Sequence, residues 1–140
     1  RRAATGSGTA TSQIGPHYCP LDKYIYIDLA FYDELARRFR AEGDFAQAYV
    51  LAHEVAHHVQ NISGIMDEVR RLQQQYPEDA NEFSIRLELQ ADCLAGVWAY
   101  TAYERDLLER GDLEEGLTAA AAVGDDRIQS QANGMVNPET

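Results

Sequence analysis

Two histidines one helical turn apart, with a glutamate beside the first, are the residues of this sequence best suited to chemistry. His53, Glu54 and His57 lie in a stretch without Pro or Gly whose apolar residues recur at helical spacing. In a helix, positions i and i+4 project from the same face, so both imidazoles can point at one metal ion. Glu54 lies about 100° round the helix from His53, where it can hold a water without binding the ion. This spacing is typical of a zinc hydrolase.

Two acidic residues further along the chain can complete such a site. Glu88 and Asp92 are also one helical turn apart, in another stretch with helical spacing. A catalytic zinc ion takes three protein ligands and leaves the fourth position to water, so two histidines need one more donor. We predict that Glu88 is this donor. Asp92 is then expected to accept the outward N–H of a ligand histidine, which fixes the tautomer of that ring and raises its basicity.

Each of these residues also has a simpler interpretation. The two histidines could be ordinary polar helix residues and the glutamate beside them a surface carboxylate. Glu88 could form a buried ion pair with Arg86 or Arg127 instead of binding a metal. Gln60 follows His57 by three positions and lines the same helix face, either as the wall of a cleft or as a hydrogen-bonding residue.

Several blocks of the sequence, in matching order, resemble the bacterial family of putative neutral zinc metallopeptidases, which belongs to the gluzincin-like group. The blocks are residues 15–22, 26–29, 45–50, 53–60, 86–98 and 124–127. In that group a glutamate from a second helix completes the zinc site. The resemblance covers most of the chain and is therefore specific.

The resemblance implies a zinc-dependent metallopeptidase that binds one Zn²⁺ per chain and acts on a peptide or protein substrate. It makes His53, His57 and Glu88 the zinc ligands. It makes Glu54 the general base, which takes a proton from water during attack on a peptide carbonyl and passes it to the leaving amine. Asp92 becomes the partner of a ligand histidine.

Substrate binding is expected to involve a strand beside the active-site helix. In gluzincin-like proteins an edge strand binds extended substrate through main-chain hydrogen bonds. The strand that contains Tyr24 and Tyr26 could act in this way, or it could only cover the helices. With His58, these tyrosines are the predicted substrate-binding residues. The tetrahedral oxyanion needs a further donor, and the open candidates are His58, Tyr49, Tyr26, His17 and a histidine that the resemblance implies downstream of residue 140.

The elements that must position these residues are mainly helical. We predict an α+β, mainly α fold: a helical zincin-like domain with a short β-strand or hairpin near the active-site helix. Residues 23–28 form the predicted strand, with residues 9–14 as a weak candidate partner. Helices are expected at residues 31–41, 44–62 (with Asp44 as N-cap), 65–76, 78–108 and 112–131. The fourth helix is apolar on two sides, which indicates that it is buried.

Composition argues against a nucleic-acid partner and against a membrane-spanning segment. The net charge is −11, from 12 basic and 23 acidic residues, and no basic stripe is present. No apolar stretch reaches the ~18–20 residues needed to cross a bilayer. The resemblance implies an N-terminal membrane anchor ahead of the domain, and hence an extracytoplasmic, membrane-anchored full-length protein.

Residues 1–14 are rich in Gly, Ser, Thr and Ala and are expected to be a flexible segment or a trimmed linker. Residues 15–140 then form the metallopeptidase domain, as a fragment of a longer chain. Cys93 is expected to be a small core residue, with a disulfide to Cys19 as the alternative. Two other functions are compatible with the same residues: a metal-binding but proteolytically silent interaction domain, and a zinc hydrolase of a non-peptide amide.

Overall fold

Five α-helices and two small antiparallel hairpins make up the described part of this computed structural model, which comprises residues 2–6, 8–11, 15–39 and 43–132. Both hairpins come first in the chain, and the helices follow. The predicted α+β, mainly α fold class is therefore confirmed.

Each hairpin pairs strands that are neighbours in sequence. Strand β1 (Arg2–Thr5) pairs with β2 (Gly8–Thr11), and β3 (His17–Cys19) pairs with β4 (Tyr24–Tyr26). Strand β4 lies within the predicted strand, but its partner is β3, so the suggested pairing with residues 9–14 was wrong. A partner one short turn away costs less loop-closure entropy than one further along the chain. Residues 12–14 lie outside the described part.

The turn between β3 and β4 connects the two hairpins. Asp22 in this turn accepts hydrogen bonds from the backbone amide of Gly6 at 2.7 Å and from that of Tyr24 at 2.9 Å. Residues 2–5 and 8–11 of the N-terminal stretch therefore form a hairpin that contacts the second hairpin through Asp22, whereas the predicted domain boundary at residue 15 stays a prediction.

The helices lie close to the ranges that the apolar spacing predicted. They are α1 (Ala30–Phe39), α2 (Asp44–Ile62), α3 (Ile65–Gln75), α4 (Ala80–Glu104) and α5 (Asp112–Ala132). A 3₁₀ turn at Pro77–Asp79 precedes α4, so this helix begins later than predicted, and it also ends earlier. Residues 40–42, where α1 was expected to end, are outside the described part.

Glycines flank α2 at both ends. Gly43 is its N-cap, so Asp44 is the first helical residue and not the cap that we predicted. Its carboxylate still lies near the positive end of the helix dipole. At the other end the Ser63 amide donates to the carbonyl of Val59 at 3.0 Å, and Gly64 has a φ of 86°. Glycine adopts this left-handed conformation without strain, which confirms the predicted break before α3.

Helix α2 lies at the centre of the fold and packs against α3, α4, α5 and β3. The core joins this helix to α1, α4 and α5, and several of its residues are alanines. Its members are Phe31, Leu35, Ala46, Tyr49, Val50, Ala95, Ala119, Ala122 and Val123. Small side chains let the helix backbones approach one another closely, so α4 and α5 can both pack against α2.

Helix α4 is less buried than its two apolar stripes predicted. Its buried residues are Ala91, Ala95 and Ala102, whereas Leu89 is 61 % and Val97 58 % exposed. The prediction of a buried helix was wrong for the described part of the chain, because only the alanine face of α4 packs against α2. The expectation for Cys93 was wrong for the same reason. This residue is exposed on α4, Cys19 is buried in β3, and no disulfide joins them.

Candidate metal centre

Helix α2 places three polar side chains in the protein interior. His53, Glu54 and His57 are 3 %, 0 % and 1 % exposed. The two imidazoles lie one above the other on the same helix face, with ring centroids 4.7 Å apart and ring planes at 88°. Their Nε2 atoms are 3.1 Å apart. The spacing of four residues has therefore aimed both Nε2 atoms at the same point, as predicted.

Helix α4 brings Glu88 to the same point. Its Oε2 atom lies 2.8 Å from Nε2 of His57 and 3.9 Å from Nε2 of His53. The packing of α4 on α2 is what makes this approach possible. The alternative ion pair with Arg86 is not formed, since Arg86 pairs with Glu82 one turn earlier on α4. The side chain of Arg127 lies outside the described part.

These three side chains fit a tetrahedral zinc ion. Ligand atoms at ~2.0–2.2 Å from one ion in such an arrangement lie about 3.3–3.6 Å from one another, and the observed separations of 2.8, 3.1 and 3.9 Å bracket that range. Two imidazole nitrogens and one carboxylate oxygen are also a donor set found at catalytic zinc sites. Among the residues that the structure describes, His53, His57 and Glu88 are the one group of this kind.

Asp92 contacts the outer nitrogen of His53. Its Oδ1 atom lies 2.8 Å from Nδ1 of His53, and it also accepts a hydrogen bond from the hydroxyl of Tyr49 at 2.8 Å. A carboxylate can only accept from a neutral imidazole, so Nδ1 of His53 carries the proton and Nε2 keeps its lone pair. This arrangement orients His53 for metal binding in the way expected for Asp92.

Gln60 makes the corresponding contact with His57. Its Oε1 atom lies 2.8 Å from Nδ1 of His57, and its Nε2 atom donates to the carbonyl of Leu87 at 2.8 Å and to Oε1 of Gln90 at 2.9 Å. Of the two interpretations of Gln60, the hydrogen-bonding residue is correct. Its position three residues after His57 placed it on the right helix face, but its α4 partners could not be found from spacing.

In the metal-free chain the surroundings of His57 favour its protonated form. Burial opposes a charged imidazolium, but the hydrogen bond to Glu88 and the negative charges of Glu88 and Glu54 outweigh this effect and raise the pKa of His57 above its ordinary value. The same charges attract a divalent cation, so a metal ion and a proton compete for this position.

The three predicted substrate-binding residues lie outside the cluster of His53, His57 and Glu88 in the described part of the chain. Tyr24 is exposed on β4, and the hydroxyl of Tyr26 donates to Asp22 at 2.6 Å. His58 lies on α2, with its Nδ1 atom 2.8 Å from the hydroxyl of Tyr18 in β3. Strand β3 packs on α2, so this contact connects the second hairpin to the helix that carries both histidines.

The candidate oxyanion donors are engaged in other hydrogen bonds. The hydroxyl of Tyr49 donates to Asp92 and that of Tyr26 to Asp22. The Nδ1 atom of His17 lies 3.1 Å from the carbonyl of Gly15, and its ring stacks on Tyr26. The hydroxyls of Tyr49 and Tyr26 would therefore have to leave their present acceptors in order to donate to an oxyanion.

Comparison with known proteins identifies a family that this chain matches. Residues 1–140 match the model of the family described as "Putative neutral zinc metallopeptidase". The chain is 53 % identical over 137 residues to the uncharacterized protein YpfJ of Escherichia coli K12, covering 97 % of this chain and 48 % of that protein. It is 46 % identical over 151 residues to the uncharacterized protein Rv2575 of Mycobacterium tuberculosis H37Rv, covering 99 % of this chain and 50 % of that protein.

The chain therefore spans about half the length of the curated relatives that it matches. No solved structure matches it. No helix in the described residues combines the length and apolarity that crossing a membrane would require.

Proposed function

We propose, from the premise that the chain belongs to the putative neutral zinc metallopeptidase family, that it hydrolyses peptide bonds in peptides or proteins at a zinc centre of gluzincin type. The observation that carries this proposal is the convergence of His53, His57 and Glu88 from two helices on one point, with the buried carboxylate of Glu54 beside it. Family membership alone names the metal and the reaction class. The geometry supplies the residues.

His53, His57 and Glu88 would hold the ion. A zinc ion with an open position supplies a water whose pKa is lowered to roughly 7, together with polarisation of the substrate carbonyl. The orienting contacts of Asp92 and Gln60 keep both outer nitrogens protonated, so that each Nε2 lone pair stays available.

Glu54 is the proposed general base. It follows His53 directly in α2, so it lies beside the ligands without belonging to the set of donor atoms that converge. Its carboxylate takes a proton from the attacking water while the C–O bond forms, and it delivers that proton to the amine as the C–N bond breaks. The burial of Glu54 raises the strength of its interaction with charge that develops in the transition state.

Substrate binding along β4 is the remaining part of the proposal. Strand β4 pairs on one side with β3, and an extended peptide could add to its other side through main-chain hydrogen bonds. Tyr24, Tyr26 and His58 would then contact the peptide. The extracytoplasmic, membrane-anchored location expected for the full-length protein also remains a prediction, which fractionation of expressing cells would test.

Hydrolysis of casein and of labelled peptides, with and without a chelator, tests the proposed function. Glu54→Gln should retain one zinc per chain and lose about 10²–10⁴-fold or more in the rate of hydrolysis, because general-base assistance is removed while the ligands remain. Glu78→Gln, an exposed glutamate in the 3₁₀ turn, serves as the matched control and should retain activity.

Three other outcomes would contradict parts of this proposal. Loss of zinc from Glu54→Gln would show that Glu54 is a ligand. Stoichiometric zinc with no hydrolysis of any substrate would favour a silent metal-binding domain. Chelator-sensitive cleavage of non-peptide amides but not of peptides would favour a different hydrolase.

A further inference from the structure

Gln60 uses its amide oxygen within α2 and its amide nitrogen in contacts with α4. It is 0 % exposed, although it is a polar side chain on a helix. Its oxygen faces the ring of His57, and its nitrogen has two acceptors, the carbonyl of Leu87 and the side-chain oxygen of Gln90. An amide nitrogen carries two protons, so both are used, and the buried group is fully satisfied.

The carbonyl of Leu87 determines the orientation of the Gln60 side-chain amide, that is, which of its two positions holds the nitrogen and which the oxygen. A backbone carbonyl can only accept a hydrogen bond, so the Gln60 atom that faces it at 2.8 Å must be the nitrogen. The oxygen of Gln60 must then face His57, and an oxygen can only accept. Nδ1 of His57 therefore carries a proton, which leaves Nε2, the atom that faces His53 and Glu88, as the ring nitrogen that can bind a metal ion.

We infer that Gln60 is a positioning residue that makes the metal-binding tautomer of His57 depend on the docking of α4. The controlling carbonyl belongs to Leu87, the residue directly before Glu88. The backbone that presents the third ligand thus also sets the tautomer of the second. The inference rests on the proposed zinc site, and it adds a role for a residue that is neither a ligand nor the general base.

The choice of glutamine follows from these contacts. Glutamate at position 60 would place a carboxylate oxygen against the Leu87 carbonyl, where two acceptors would repel each other. Asparagine is one methylene shorter and could not span the gap between the His57 ring and α4. Methionine has the length of glutamine but neither a strong donor nor a strong acceptor.

Helix α4 supplies an orienting contact to each histidine. Asp92 accepts directly from His53, and Leu87 acts on His57 through Gln60. Of the contacts described for the outer nitrogens of the two imidazoles, the one to His53 comes from α4 and the one to His57 is oriented by α4. Zinc affinity should therefore report whether α4 is docked correctly as well as whether the ligands are present.

Zinc affinity measured by competition with a chelator is the first test. Gln60→Met should bind zinc about 10–100-fold more weakly than the wild type, the range typical of residues that orient metal ligands. Gln47→Met is the matched control. It makes the same exchange at an exposed position of α2, so its zinc affinity should stay within about twofold of wild type. Wild-type affinity in a folded Gln60→Met variant would overturn the inference.

The hydrogen bond from Nδ1–H of His57 to Gln60 is the second test, and it needs no hydrolysis. In the zinc-bound wild type, proton–nitrogen NMR should show an Nδ1–H signal of His57 that exchanges slowly with water, because it donates to the buried oxygen of Gln60. In folded, zinc-bound Gln60→Met this signal should exchange much faster. A fast-exchanging Nδ1–H in the wild type would overturn the inference even if the protein is a peptidase. If the Nδ1–H signal is protected but no substrate is cleaved, only the proposed function fails.

Discussion

At the scale of single residues, the zinc ligands and the residues that orient them should differ in how much they contribute to affinity. Glu88 offers an oxygen to the ion, whereas Asp92 acts through Nδ1 of His53 and is also held by Tyr49. A ligand supplies a bond to the metal, and an orienting carboxylate supplies only direction and basicity.

We therefore expect Glu88→Ala to weaken zinc binding far more than Asp92→Ala, whose cost should be about 10–100-fold. His53→Ala and His57→Ala should abolish stoichiometric binding. Chelator competition on each purified variant measures its zinc affinity and hence the order of these effects. Zinc retained at one ion per chain by a variant that lacks both histidines would rule out this site.

The contact between Asp22 and Tyr26 gives a second residue-scale prediction. The hydroxyl of Tyr26 donates to Asp22, which together with partial burial raises the pKa of Tyr26 to about 12. Asp22→Asn removes the charge, so the pKa of Tyr26 should move back toward the ordinary value of 10.0. NMR titration of the tyrosine ring measures the change. Asp28→Asn, whose carboxylate contacts the Ala30 amide, is the control and should leave Tyr26 unchanged.

The hydrogen bonds to Asp22 also predict how the stability of the folded chain changes at low pH. Partial burial disfavours the Asp22 carboxylate, but hydrogen bonds from Tyr26, Gly6 and Tyr24 outweigh this effect and lower the pKa of Asp22 from 3.8 to about 2. A lowered pKa in the folded chain stabilises it fully above pH 3.8, and this contribution is lost as the pH falls toward 2. The protection of the Gly6 and Tyr24 amides, measured relative to their intrinsic exchange rates at each pH, should therefore fall over this interval. Unchanged protection down to pH 2 would contradict the assignment.

At the scale of elements, the turn between α2 and α3 depends on one left-handed residue. Gly64 has a φ of 86°, and it is followed at once by α3. A side chain at this φ costs roughly 1–2 kcal/mol, so Gly64→Ala should lower the free energy of unfolding by about that amount. Gly96→Ala is the control, because Gly96 lies inside α4 with no heavy atom near its missing Cβ.

Gly96→Ala should raise the free energy of unfolding by about 0.5–1 kcal/mol, since alanine is the better helix former. Urea unfolding of both variants at a fixed zinc concentration measures the difference. Equal changes of the same sign would show that the conformation of Gly64 is not what matters at this turn.

At the scale of the whole molecule, zinc should act as a cross-link between α2 and α4. His53 and His57 come from one helix and Glu88 from the other, so the ion would bind only the folded arrangement. A ligand that binds the native state stabilises it by about 2.7 kcal/mol at 100 times its dissociation constant. We expect the melting temperature to rise with zinc and to fall with chelator. In His53→Ala zinc should produce no such rise.

What the sequence determined by itself is local. The convergence of His53 and His57 follows from helix periodicity, because backbone hydrogen bonds four residues apart set the direction of each side chain. The helix ranges and the break at Gly64 depend on the same short-range geometry. These features needed no knowledge of the rest of the chain, and the family resemblance, now confirmed, rested on such local motifs.

The tertiary structure decided everything that joins distant segments. Glu88 could be named as a candidate from its family motif, but its approach to His57 depends on how α4 packs against α2. The partner of β4 and the exposed face of α4 were predicted wrongly, because apolar spacing says which residues can pack and not which segment they pack against. The role of Gln60 depends on a backbone carbonyl of α4. Such a contact follows from the packing of two helices, and no side-chain pattern in the sequence specifies it.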